Sequence, residues 1–91
     1  MATKNQQTNF SIYSAIDKEV IRAERKHPEF PKDILHQVAI LNEESGEVTK
    51  AALQHVYEKG YKSWIKLELI QTAAMCVRML KSMEPTITNE Q

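Results

Sequence analysis

Only two glycines and three prolines interrupt this chain of 91 residues, and no stretch alternates apolar with polar side chains as a half-buried strand must. So little punctuation leaves long helices as the economical solution. The sequence therefore predicts an all-α fold of three main helices forming a bundle.

The breakpoints place those helices. Residues 1–10 read as a polar, fraying N-terminal tail (Thr3, Lys4, Asn5, Gln6, Gln7 and Thr8 among them), residues 11–83 as one domain, and residues 84–91 as a second tail. Ser11 is the expected N-cap of a first helix whose Ile12, Ile16, Val20 and Ala23 share a face. It should stop at His27, because Pro28 disfavours helical geometry in the residue before it. Phe30, between Pro28 and Pro31, can anchor the connector on the core, and Asp33 then caps a second helix running to about residue 58. Ile34, Val38, Leu41, Val48, Ala52 and Val56 form its main apolar face, widened by Leu35 and Leu53. Gly60 is placed to end that helix in the left-handed conformation, and Ser63 to cap a third helix ending near Ser82. The third helix has an aliphatic side of Leu69, Ile70, Ala73, Val77 and Leu80, and another side that collects Tyr61, Trp64, Glu68, Gln71, Met75 and Met79.

Composition narrows the function classes. Twelve basic and twelve acidic side chains give a formal net charge of zero and a pI near 6.8, with no basic stripe to grip a nucleic-acid backbone. No nucleic-acid partner is expected. The N-terminus has no apolar signal core and no run approaches the ~18 apolar residues of a membrane span, so the expectation is a soluble, cytoplasmic protein with no membrane contact. The single cysteine, Cys76, stands among Ala73, Ala74, Met75 and Val77 and reads as a small buried hydrophobe in a reducing compartment. A domain this short buries a modest fraction of its surface, so association between copies would help it.

The chemistry concentrates in two acidic clusters. Glu43 and Glu47 stack one turn apart on the second helix with Glu44 beside them. Like charges at such spacings repel by roughly a few tenths of a kcal/mol per pair, which makes a compensating cation the natural suspect. A hard divalent ion such as Mg²⁺ takes oxygen ligands of this kind and keeps positions open for phosphate oxygens. Ile40 and Ala51 lie in the same sector, one turn before and one turn after, so the patch is expected to be walled. If the second and third helices pack antiparallel, Glu68 and Gln71 face the first cluster across a groove. Lys50, one turn past Glu47, and Arg25, Lys26 or His27 at the end of the first helix are placed to steady a phosphate; a solvated cation is the plainer reading of each. Trp64 and Tyr61 can stack on a base or pack in the core. His36 and His55 have no partners at zinc-like spacing. For the carboxylates themselves, the bland reading is a solvated acidic helix face.

The pattern E-E-x-x-E on one helix and E-x-x-D on the next resembles the signature of the all-α nucleoside triphosphate pyrophosphohydrolases, the MazG-like superfamily. Glu43, Glu44, Glu47 and Glu68 match its four glutamates. Residues 12–82 carry the resemblance, and Asn42-Glu43-Glu44-Ser45-Gly46-Glu47-Val48 with Glu68-Leu69-Ile70-Gln71 is similar to the short MazG-like proteins of bacteria and phages. The resemblance implies hydrolysis of a nucleoside triphosphate to the monophosphate and pyrophosphate. It implies Mg²⁺, with Mn²⁺ as a substitute, at Glu43, Glu44, Glu47, Glu68 and the Gln71 position. It also implies a homodimer or homotetramer, because family members complete the bundle core with helices from a second subunit. Gln71 departs from the family aspartate: it keeps an oxygen ligand but loses a charge, which puts metal affinity and turnover in question. The alternative is a helical module that senses nucleotide or binds a protein without turnover; a purely structural oligomerisation bundle is a third reading.

Overall fold

The computed structural model describes residues 2–84, which form three helices and no strand: α1 (Lys4–Lys26), α2 (Ile34–Tyr57) and α3 (Lys62–Ser82). The C-terminal tail from Pro85 lies outside the described residues.

α1 begins at Lys4, well before the expected cap at Ser11. Thr3 explains the difference: its hydroxyl accepts from the Gln6 backbone N–H at 3.1 Å, and the Gln6 side chain accepts from the Thr3 backbone N–H at 2.8 Å. This reciprocal capping box satisfies donors that a helix start leaves open. Residues 2–13 are nevertheless exposed, and the face that packs is the expected one, with Val20 buried and Ile16 and Ala23 half-buried. α1 ends at His27 as the following proline requires.

Asp33 caps α2 by accepting from the Leu35 N–H at 3.1 Å. The far end of α2 closes differently from expectation. No glycine takes a positive φ; Lys59 does, at 59°. Gly60 serves packing, because a Cβ there would stand 3.1 Å from the Gln54 backbone carbon, the Gln54 Cβ and Trp64 Cζ3. The Gly60 N–H meanwhile donates to the Gln54 carbonyl at 2.9 Å, and the Gly60 carbonyl sits 2.9 Å from His55 Nδ1. Ser63 is not the cap of α3 either; Tyr61 is the N-cap, without a side-chain bond. The link is so tight that the helix has begun before Ser63 is reached.

Contacts define the layout. Gln37 near the start of α2 meets Ser82 at the end of α3, while Gln54 and Trp64 approach across the short link, so these helices are antiparallel. The C-terminal part of α1 lies along the C-terminal part of α3: His27 meets Arg78, and Glu24 pairs with Lys81 at 2.6 Å. Both α1 and α2 thus pack on α3.

The buried core is small. Among the described residues, the buried apolar side chains are Val20, Ala51 and Ala74, and the buried polar ones are Gln37 and Arg78. α2 turns its Gln37–Glu44–Ala51 stripe toward α3, whereas the expected inward face is open at its ends, where Ile34 and Val56 are exposed, and at the widening residues Leu35 and Leu53, with Leu35 at 77% and Val56 at 67%. Val38, Leu41, Val48 and Ala52, in its middle, are half-buried. α3 shows a similar offset, with Ala74 and Arg78 buried, Ile70, Ala73 and Val77 half-buried, and Leu69 and Leu80 exposed. Cys76 follows that open side, so it is exposed rather than buried.

Candidate functional site

The acidic residues lie on α2 and α3 along their seam, with Glu19 contributed by α1 from the other side of α3. Glu44 sits on the α2 stripe that faces α3 and is half-buried; Glu68, on α3, is half-buried as well, while Glu43 and Glu47 are exposed on the flank of α2. Burial first, then the charges of Glu68, Glu47, Glu19 and Glu43 in that order, raise the Glu44 pKa above its ordinary value of 4.5. The other three glutamates singled out from the sequence therefore all act on Glu44. Glu19 of α1 is a fifth that sequence reasoning missed, because no local spacing links it to the others. As the side chains stand, no three acidic, histidine or cysteine groups among the described residues are close enough together to hold an ion.

Two clefts open from this cluster. One, of about 180 Å³, is lined by Glu47, Lys50, Ala51, Gln54, Trp64, Leu67 and Glu68. It brings Lys50 and Trp64 beside two of the glutamates. Tyr61 is exposed but touches Trp64 edge-on, with ring centroids 5.4 Å apart and planes at 90°. The expected wall is half present: Ala51 lines this cleft, and half-buried Ile40 is not part of its lining.

The second cleft, of about 210 Å³, runs between α1 and α3. Glu19, Glu44 and Gln71 lie at one end, and Lys26, His27 and Arg78 at the other, with Arg22 between. Gln71 thus lies beside Glu44 as the antiparallel pairing demands. Arg25 is exposed and does not line this groove; Arg22 and Lys26 do. Glu19, Arg22, Ala23 and Lys26 share the face of α1 that lines the groove, and Arg25 lies beyond its edge. Arg22 reaches Glu19 through two bonds, of 2.9 and 2.6 Å. That hydrogen bond, and then the charge of Glu19, raise the Arg22 pKa above its ordinary value.

Arg78 is the groove's most unusual side chain. It is 6% exposed, donates from Nη2 to the His27 carbonyl at 2.7 Å, and lies 4.7 Å from the centroid of the Phe30 ring. Phe30 thereby provides the anchor expected of it, against a cation rather than an aliphatic core. No helix among the described residues is long and apolar enough to cross a membrane. Compared with family models, with curated proteins and with solved structures, the chain matches none.

Proposed function

We propose that the chain is a Mg²⁺-dependent nucleoside triphosphate pyrophosphohydrolase of the MazG-like type, active as a homo-oligomer. The observation that carries this reading is a cleft that sets Glu47 and Glu68 beside a lysine and a tryptophan, next to a half-buried Glu44 whose carboxyl feels the charges of Glu68, Glu47, Glu19 and Glu43. The donor set fits a hard divalent cation: it is all oxygen and rich in charge. Glu43, Glu44, Glu47 and Glu68 would hold the ion, with Gln71 offering a neutral oxygen. A cation bound among them would offset their mutual repulsion.

When bound, such an ion supplies charge neutralisation at phosphate oxygens and lowers the proton affinity of a water. The protein's own contributions are separable. Lys50 offers a cation to a phosphate at the mouth of the first cleft, and the Trp64 indole offers a flat face to a base. The exposed apolar side of α2 and α3 is the surface on which a second copy would complete the core.

A panel of ordinary and modified nucleoside triphosphates, incubated with and without Mg²⁺, tests the activity. Pyrophosphate should appear only with Mg²⁺ and vanish in Glu44→Ala and Glu47→Ala; a panel that yields none at high protein concentration rejects it. One observation favours a second reading: Gln71 stands at the cluster where the family pattern has an acid. In that reading nucleotide binds without turnover, and it would raise the melting temperature with no product formed.

A further inference from the structure

We propose that the groove between α1 and α3 is a polyphosphate-binding site, in which Arg78 and Lys26 hold the terminal phosphates of a substrate whose inner phosphates lie at the Glu44 end. The word substrate rests on the function proposed above; the anion site rests on the groove itself.

Arg78 carries the argument. A guanidinium taken out of water is costly unless an anion compensates it. The two ion pairs among the described residues are Arg22–Glu19 and Lys81–Glu24, so neither gives Arg78 a carboxylate. The His27 carbonyl and the Phe30 ring compensate in part: one is a neutral acceptor at the C-terminus of α1, where the helix dipole favours a cation, and the other a π face. Nη2 is committed to His27, and Arg78 lines both this groove and the neighbouring cleft beside Phe30. Planar guanidinium groups bind phosphate through paired N–H donors, so a phosphate oxygen there would match both charge and geometry.

Lys26 adds a second cation to that end and takes part in neither ion pair. The carboxylates of the groove, Glu19 and Glu44, lie at its opposite end, and Arg22 answers Glu19. The groove is therefore polarised, acidic where a chelated ion would sit and basic about 10 Å further along α3, at ~1.5 Å per residue from Gln71 to Arg78. Such polarity suits a phosphate chain that is metal-bound at one point and free at its end. It selects triphosphates over monophosphates.

Binding of inorganic tripolyphosphate and of orthophosphate to the full chain, measured by calorimetry in the presence of a chelator, tests the anion site without any metal. Tripolyphosphate should bind at least tenfold more tightly than orthophosphate. Lys26→Glu should weaken tripolyphosphate binding at least tenfold, and Lys4→Glu, the same charge change at the far end of α1, should leave it within twofold. Arg78→Met should abolish binding where circular dichroism shows the fold intact; Lys26→Glu, on an exposed side chain, decides the matter if it does not fold. Binding that is absent in the parent chain, or unchanged in Lys26→Glu, overturns the proposal. Metal-free binding lost in Lys26→Glu, with no nucleotide hydrolysed, upholds the groove and rejects the enzyme. Hydrolysis with a KM that Lys26→Glu leaves unmoved does the reverse.

Discussion

The Glu44 carboxyl on α2 holds its proton above the ordinary value of 4.5 first because it is half-buried, and next because Glu68 of α3 faces it across the helix seam. The unfolded chain has neither effect, so Glu44 titrates near its ordinary value there. Below that value both states are protonated and the site costs nothing. As pH rises from about 4.5 through the raised folded pKa, the unfolded state releases its proton first, and stability falls until both states are ionised. Glu44→Gln lacks this loss. In chelator, its advantage over the parent should be close to zero at pH 4 and grow to roughly 0.3–1 kcal/mol at pH 7.5, since each like-charge pair costs a few tenths. Urea unfolding at the two pH values measures this, and an advantage of equal size at both would detach Glu44 from the acidic field.

Gln37 makes a different kind of link. It is 2% exposed, donates from Nε2 to the Pro31 carbonyl at 2.6 Å, and shares a longer contact of 3.3 Å with the Ser82 hydroxyl. One amide therefore ties the α1–α2 connector to the end of α3. Gln37→Leu preserves most of the volume but leaves the Pro31 carbonyl without this donor, for a loss of roughly 1–3 kcal/mol. Chemical denaturation would show it. A neutral Gln37→Leu would mean that the connector is held by the packing of Phe30 alone.

Much of this was legible in the sequence, and the misses have physical causes. Helix number, the Asp33 cap and the stop at His27 follow from local rules that act within a turn, and so does the pairing of Val20 with Ile16 and Ala23 on one face. The capping box at Thr3 and Gln6 was equally local, but the polarity of the surrounding residues obscured it. What no local rule could give was the rotation of α2. Its main apolar stripe, Ile34, Val38, Leu41, Val48, Ala52 and Val56, reads as the inward face, yet in the single chain its middle is only half-buried and the Gln37–Glu44–Ala51 stripe faces α3. Glu19 and Arg78 escaped for the same reason: their roles depend on which helices meet, and periodicity within one helix does not specify that.

Gly46 separates the isolated chain from an assembled one. It lies inside α2, and a Cβ there would have nothing within 4 Å. Glycine in an exposed helix interior costs roughly 0.5–1 kcal/mol relative to alanine. Gly46→Ala should therefore stabilise the chain by about that amount, raising the urea midpoint. A substitution that instead destabilises, or that weakens self-association, would show that another surface comes close to this backbone.

The open apolar faces make the last prediction. Leu35, Leu53 and Val56 on α2, with Leu69 and Leu80 on α3, are exposed in a chain whose buried apolar residues are one valine and two alanines among the described residues. A core that small offsets little of the entropy of ordering three long helices, whereas covering a Leu or Val side chain contributes about 1.5–3 kcal/mol. A second copy seated on these faces would supply the missing burial. Sedimentation should then give a dimer or tetramer at micromolar concentration, with a melting temperature that rises with protein concentration as mass action requires. Val56→Lys and Leu53→Lys should shift the chain toward monomer and lower its melting temperature together, because each would bury an unpaired ammonium in the contact. Lys66→Glu, at an exposed position already polar, should do neither. A parent chain that sediments as a monomer at every concentration, and melts at one temperature throughout, would leave the open faces to some other partner.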